Sequence, residues 1–230
     1  MPTRRLSRES FLRAFKERWR PDQHVSLIGP VGRGKTFTAR QILEQRGGRV
    51  LVLAPKGPDK TMQGYGTRVG KWPPPLLSRK KDDTGRWHLL LQPDLKRTED
   101  LPKMREHFER ALEQVFRQGD WTLYVDELQV LADPRMMNLG KPVESLLVMG
   151  RSRRISVVSS IQVPRWAPKA AYDQASHVLM WRQRDKPALV RIREISGIDS
   201  AEVESLVRGL DFHEFLWVDA ANDTYHVVAK

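Results

Sequence analysis

Residues 29–36 read Gly-Pro-Val-Gly-Arg-Gly-Lys-Thr, a complete G-x-x-x-x-G-K-T loop, and the residues on either side restrict what can contain it. Before it, Val25-Ser26-Leu27-Ile28 has the apolar character of a buried parallel strand. After it, Thr36 to Arg46 reads as a helix stopped by Gly47-Gly48. A strand, a glycine-rich turn and a helix in this order form a phosphate cradle. The glycines let the backbone close on phosphate oxygens, and successive N–H groups at the helix N-terminus supply positive dipole. Residues Gly29, Pro30, Val31, Gly32, Arg33, Gly34, Lys35, Thr36 and Phe37 are therefore the expected nucleotide contacts. Lys35 would reach the β- and γ-phosphates, and the Thr36 hydroxyl would ligate Mg²⁺.

A second element supplies carboxylates. Trp121-Thr122-Leu123-Tyr124-Val125 is an apolar strand followed by Asp126-Glu127. In an ATP-hydrolysing site Asp126 would hold Mg²⁺, and Glu127 would orient and deprotonate the attacking water. Kinases that share the phosphate loop do without such a water-activating carboxylate, since water attack would waste their donor. A third strand, Ile155 to Ile161, ends at Gln162. In a parallel sheet that end lies on the same edge as the loop and Asp126, within reach of a γ-phosphate or catalytic water. Ahead of it, Gly150-Arg151-Ser152-Arg153-Arg154 offers cations that would either complement a helix C-terminus or stabilise charge on a transferring phosphoryl group.

The remaining elements follow the same alternation. Ser7 or Ser10 caps an expected first helix, with Phe11, Leu12, Phe15 and Trp19 on one stripe and Arg13, Lys16, Arg18 and Arg20 around it, so residues 1–20 form a basic N-terminal helix. Arg49 to Pro55 and Trp87 to Leu91 read as strands. A helix after Pro102 places Met104, Phe108, Ala111, Leu112, Val115 and Phe116 on one face. Pro142 to Arg153 and Ala170 to Ala175 read as helices and Val178 to Trp181 as a strand. Leu216–Val218 and His226–Val228 flank Asn222-Asp223 as a hairpin within 211–230. The fold class expected is α/β, a mainly parallel sheet with helices on both faces, in a single domain over residues 1–230.

Residues 56–88 interrupt this pattern with Gly64, Gly66, Gly70 and Pro73-Pro74-Pro75 among Lys56, Lys60, Arg68, Lys71, Arg79, Lys80, Lys81 and Arg86. They read as a basic loop insertion, with Tyr65 and Trp72 available to nucleic acid. The whole chain carries 40 Lys plus Arg against 28 Asp plus Glu, a formal net charge of +12, which favours a polyanionic partner. Residues 194–230 reverse the sign, so one basic working face is expected. Arg79, Lys80, Lys81 and Arg165 are the candidate nucleic-acid contacts. The chain has no cysteine, which excludes disulfides and Cys-containing zinc sites, and its six histidines show no metal-ligand spacing. No signal peptide or 18-residue apolar span is present, so no transmembrane segment is expected, and the chain reads as soluble and intracellular.

Taken together, the GKT loop, Ala54-Pro55-Lys56-Gly57 after a strand, Val125-Asp126-Glu127, and Gly150-Arg151-Ser152-Arg153-Arg154-Ile155 leading to Gln162-Val163-Pro164 resemble the FtsK/HerA superfamily of DNA-pumping ATPases over residues 22–185. The family often has Asp at the position of Ala54 and Gln-Arg-Pro where this chain has Gln162-Val163-Pro164, with Arg165 displaced. At this length the chain is most similar to the minimal genome-packaging ATPases of tailless, membrane-containing icosahedral DNA viruses. The resemblance implies a RecA-like core, ATP and Mg²⁺ as cofactors, Arg151 as a trans-acting arginine and Gln162 as a sensor glutamine. It also implies double-stranded DNA, a pentameric or hexameric homo-oligomeric ring and a capsid vertex or portal protein as partners, in the host cytoplasm and on the virion. The alternatives are a plasmid or integrative-element transfer ATPase, and a nucleotide-gated assembly protein that does not move DNA.

Overall fold

In the computed structural model, the described residues are 4–56, 60–74, 87–93, 100–163, 166–183, 186, 187, 189, 190 and 200–229. The strands are β1 Arg4–Leu6, β2 His24–Ile28, β3 Arg49–Leu53, β4 Thr67–Val69, β5 Trp87–Leu91, β6 Trp121–Val125, β7 Ser156–Ile161, β8 Ala175–Trp181, β9 Phe215–Asp219 and β10 Thr224–Val228. They form one sheet in the order β1-β10-β9-β8-β2-β7-β6-β3-β5-β4. Among these strands β9 alone runs against the rest; it pairs antiparallel with both β8 and β10. The sheet is thus mainly parallel, as its buried apolar runs require. β2, β6, β7 and β8 are buried along their whole length, because helices cover both faces.

Seven helices are described: α1 Arg8–Arg18, α2 Lys35–Glu44, α3 Leu101–Gln118, α4 Leu128–Ala132, α5 Gly140–Met149, α6 Ala170–Asp173 and α7 Ser200–Gly209. Strand alternation divides the core between them. Val50, Val52, Tyr124, Val158 and Leu179 pack with Phe11 and Phe15 of α1 and Ile42 and Leu43 of α2. Leu51, Leu53, Leu123, Val125, Val157 and Met180 pack on the other face with Phe108 and Leu112 of α3, Val143 and Leu147 of α5 and Val203 and Val207 of α7. α1 begins at Ser7, whose hydroxyl accepts from the Ser10 amide at 3.2 Å.

The structure adds β1, β4, α4 and α7 to the elements expected from sequence. A helical stripe for α7 is present in Val203, Leu206, Val207 and Leu210. Residues 56–88 are corrected in part. Lys60–Met62 form a 3₁₀ turn, and β4 adds parallel to β5. Tyr65 and Trp72 are buried at 3% and 2% exposure rather than presented to solvent. The Tyr65 ring stacks on His88, and the Trp72 indole donates to Gln114 at 3.0 Å and packs on Trp121. Arg79, Lys80, Lys81 and Arg86 lie outside the described residues, as do Pro164 and Arg165. No helix among the described residues is long and apolar enough to cross a membrane.

Candidate nucleotide-binding site

Parallel pairing brings four loops to one edge of the sheet. β2 pairs with β7 and β3 with β6 so that Ile28 faces Ile161 and Leu53 faces Val125. The residues that follow these strand ends therefore converge: the glycine loop after β2, Lys56 after β3, Asp126-Glu127 after β6 and Gln162 after β7. They surround a cleft of about 610 Å³ lined by Val31, Gly32, Gly34, Lys35, Thr36, Phe37, Lys56, Lys60, Thr61, Asp126, Glu127, Ser160, Gln162 and His213.

The glycines are there for steric reasons. Gly34 caps α2 in the left-handed region at φ +96°, and Gly32 stands at φ +75°. A Cβ on Gly29 would lie 2.8 Å from the Trp181 Cβ, and one on Gly34 would meet the His213 ring at 3.3 Å. Within this loop Lys35 is only 6% exposed and donates to the carbonyls of Gly29 at 2.6 Å and Pro30 at 2.8 Å. Burial pushes its pKa down to about 8, against the opposing pull of Asp126 and Glu127.

Asp126 and Tyr124 share a strand face, two residues apart, on the side covered by α2. The Tyr124 hydroxyl donates to Asp126 Oδ1 at 2.8 Å and accepts from the Thr36 and Ser160 hydroxyls. Burial and the Asp126 charge raise the Tyr124 pKa well above its ordinary value, so the phenol stays a donor. One buried hydroxyl thus ties together Thr36 and Asp126. Tyr124 and Ser160 carry no motif signal; their place on this face follows from strand alternation alone.

Continued strand geometry would turn Glu127 to the opposite face. Instead Glu127 adopts φ +60°, ψ +68°, ends the strand and precedes α4. This is a sparsely populated conformation for a residue with a side chain, of the kind that concentrates at functional sites. Its side chain is buried and its carboxylate is held from both sides: Gln162 Nε2 donates to Oε1, and Lys56 Nζ pairs with Oε2. Lys56 is half-exposed, and its contact with Glu127 across two strands is invisible in sequence.

Arg151 lies elsewhere. The 3₁₀ turn Arg151–Arg153 directly precedes β7, so it sits at the sheet edge opposite Gln162, about 20 Å away at the rise of a six-residue strand. Of the three neighbouring arginines, Arg153 stacks on Phe116 and Arg154 pairs with Asp120 at 2.7 Å. The exposed Arg151 side chain makes no hydrogen bond or ion pair among the described residues.

The residues present fit a nucleotide and a magnesium ion. The cleft is lined by Gly32, Gly34 and Lys35 at the N-terminus of α2, where backbone N–H groups suit phosphate. Thr36 and Asp126 offer two hard oxygen donors side by side, as expected of an ion that takes its other ligands from phosphate and water. No cluster of three His, Asp or Glu that would form an all-protein metal cage occurs among the described residues.

No family model and no curated protein matches the sequence. Solved structures do share the fold. The genome packaging NTPase B204 from Sulfolobus turreted icosahedral virus 2 aligns with a TM-score of 0.62 at 16% identity, over 92% of this chain and 98% of its own. The same protein in complex with AMPPCP aligns with a TM-score of 0.60 at 18% identity, over 90% and 97%. VirB4 of Thermoanaerobacter pseudethanolicus aligns with a TM-score of 0.62 at 14% identity, over 89% and 88%. The chain therefore has the α/β phosphate-loop fold of these proteins across nearly its full described length.

Proposed function

We propose that the chain is an ATPase that moves duplex DNA, as a genome-packaging motor working in a homo-oligomeric ring. The observation that carries this reading is the convergence of Lys35, Thr36, Asp126, Glu127 and Gln162 on one cleft at the carboxyl edge of adjacent parallel strands. Lys35 and the loop amides bind the β- and γ-phosphates. Thr36 and Asp126, held by Tyr124, are the residues that would hold Mg²⁺, which when bound neutralises charge on the phosphate oxygens. Glu127 orients a water and takes its proton as the water oxygen attacks the γ-phosphorus. The bond to the β-phosphate oxygen breaks, leaving ADP and inorganic phosphate. Gln162 couples the position of Glu127 to the γ-phosphate, and Lys56 is drawn from Glu127 by the same negative charge.

Arg151 acts in trans. It is too far from its own cleft and unpaired among its neighbours, so a ring in which one copy presents it to the next gives it a partner. The net charge of +12 supports a polyanionic track. The fold shared with a genome packaging NTPase supports packaging, with a capsid vertex or portal protein as the docking partner. An equal TM-score with VirB4 favours, as a second reading, a DNA-transfer ATPase of a mobile element. Hydrolysis assayed with and without duplex DNA tests both readings. Stimulation supports a motor, and DNA-independent turnover would point to an assembly ATPase.

A further inference from the structure

We infer that a second nucleotide site lies at the β4 edge of the sheet, beside the cleft, and that Gln92 pairs with the edge of its base. The site is separate from the cleft and does not depend on the nucleotide reading of it.

The 3₁₀ turn Lys60–Met62, the residues that lead from it into β4, and β5 line a cavity of about 480 Å³, a size that takes a small organic ligand. Its buried lining is Met62, Tyr65, Leu90 and Gln92, and Lys60 and Arg68 line it from exposed positions. Arg68 stands beside Leu90 in the β4–β5 register, so their side chains share a face, the one on which Met62 and Tyr65 pack with Ile42 and Leu43 of α2. The walls are fixed. Arg40 of α2 donates to the carbonyls of Thr61 at 2.8 Å and Gln63 at 3.0 Å. Gly66, at φ +57°, runs so close to β5 that a Cβ there would collide with the His88 carbonyl. Lys60 and Thr61 also line the cleft, so the two sites share the turn that carries them.

The ligand class follows from the lining. Gln92 is 4% exposed, yet among the described residues its carboxamide makes no hydrogen bond. A buried amide without a partner is costly, and the cavity that Gln92 lines is where a partner can enter. The carboxamide offers a donor and an acceptor side by side, which matches the edge of a nucleobase, adenine N6 and N7 above all. Met62 and Leu90 and the Tyr65 ring suit the faces of that base. Lys60 and Arg68 supply positive charge for the phosphate attached to it. The chemistry is that of a nucleoside phosphate, either a free nucleotide or an unpaired nucleotide of a nucleic-acid strand.

Calorimetric titration of the full chain with AMPPCP and Mg²⁺ tests this by counting sites. Wild type is expected to bind two nucleotides per chain. Lys35→Ala should lose one, and Gln92→Leu should weaken the other by about tenfold or more. Retention of the Lys35-dependent site in Gln92→Leu shows that this variant folds. In Lys35→Ala, AMPPCP should bind about tenfold or more tightly than adenosine or inorganic tripolyphosphate, since each of these makes only part of the contacts. Adding Arg68→Ala should weaken AMPPCP and leave adenosine within about twofold. A single-stranded oligodeoxyadenylate that displaces AMPPCP there at about tenfold lower concentration assigns the site to a strand; a weaker competitor assigns it to a free nucleotide. One nucleotide per wild-type chain, lost in Lys35→Ala and kept in Gln92→Leu, would overturn the second site. So would affinity in Lys35→Ala that Gln92→Leu leaves unchanged, or an acidic peptide amide that binds there where AMPPCP does not. One nucleotide lost in Gln92→Leu and kept in Lys35→Ala would leave this site in place and overturn the nucleotide reading of the cleft.

Discussion

Burial makes the charge on Lys35 depend on pH. Its folded-state pKa of about 8 lies below the ordinary lysine value, so the ammonium is present at neutral pH and is lost as pH rises through 8. A phosphate chain binds the charged form, so affinity should be flat below pH 7 and fall roughly fivefold between pH 8 and pH 9. Titrating AMPPCP binding across that range checks it, and Lys35→Ala should abolish productive binding with no pH dependence left. In the same cleft, Glu127→Gln should bind nucleotide normally and lose turnover, read by single-turnover hydrolysis. Tyr124→Phe separates positioning from chemistry. It removes the donor to Asp126 and the acceptor for Thr36, so the Mg²⁺ concentration for half-maximal hydrolysis should rise by about 10- to 100-fold, with the maximal rate recovered at high Mg²⁺. The residues of the loop and the Asp126-Glu127 pair are legible from sequence because their chemistry depends on local spacing. Lys56 and His213 are not, because each reaches the cleft only through the pairing of strands distant in sequence; Tyr124 shares the Asp126 face by strand alternation but carries no motif signal.

Strand and helix types follow hydrophobic period here, so β2, β3, β5, β6 and β7 fall within a few residues of their expected bounds. The departures have tertiary causes. Tyr65 and Trp72 sit among glycines and prolines that signal a loop, yet β4 extends the sheet edge between them, and the rings pack on His88 of β5 and Trp121 of β6. The exit of β2 is equally set by a neighbour: Trp181 of β8 leaves no room for a side chain at Gly29. Gly29→Ala should cost about 1–3 kcal/mol of stability by overpacking, measured by urea unfolding, and weaken phosphate binding as the loop shifts. At the opposite edge His24 is buried between α5 and β7, with Nε2 donating to the Leu147 carbonyl at 3.0 Å and Nδ1 accepting from the Val157 amide at 3.0 Å. Burial lowers its pKa to about 4. Because the folded value is depressed, the unfolded chain takes up the proton first. The stability His24 contributes is intact above pH 6.5 and is lost as pH falls towards 4, by roughly 3 kcal/mol. Urea midpoints at pH 7 and pH 5 should separate in the wild type, and His24→Gln should reduce that separation.

At the scale of the whole molecule, cleft and arginine lie on opposite edges of one sheet, a polarity suited to head-to-tail contacts that close a ring. Arg151→Ala is expected to bind AMPPCP normally and lose about 10³-fold in turnover. Mixing it with Glu127→Gln should restore activity where an intact cleft meets an intact arginine; confirmed mixed rings without rescue would reject the trans role. The central claim is that hydrolysis in this cleft is coupled to movement on duplex DNA. The most direct measurement is the steady-state ATPase rate of wild type against duplex DNA concentration, with Glu127→Gln as the blank. The predicted result is a saturable, several-fold stimulation that weakens with added salt and is absent in the blank. A wild-type rate that stays the same at every DNA concentration, while Glu127→Gln remains inactive, would leave an ATPase in place and contradict the motor.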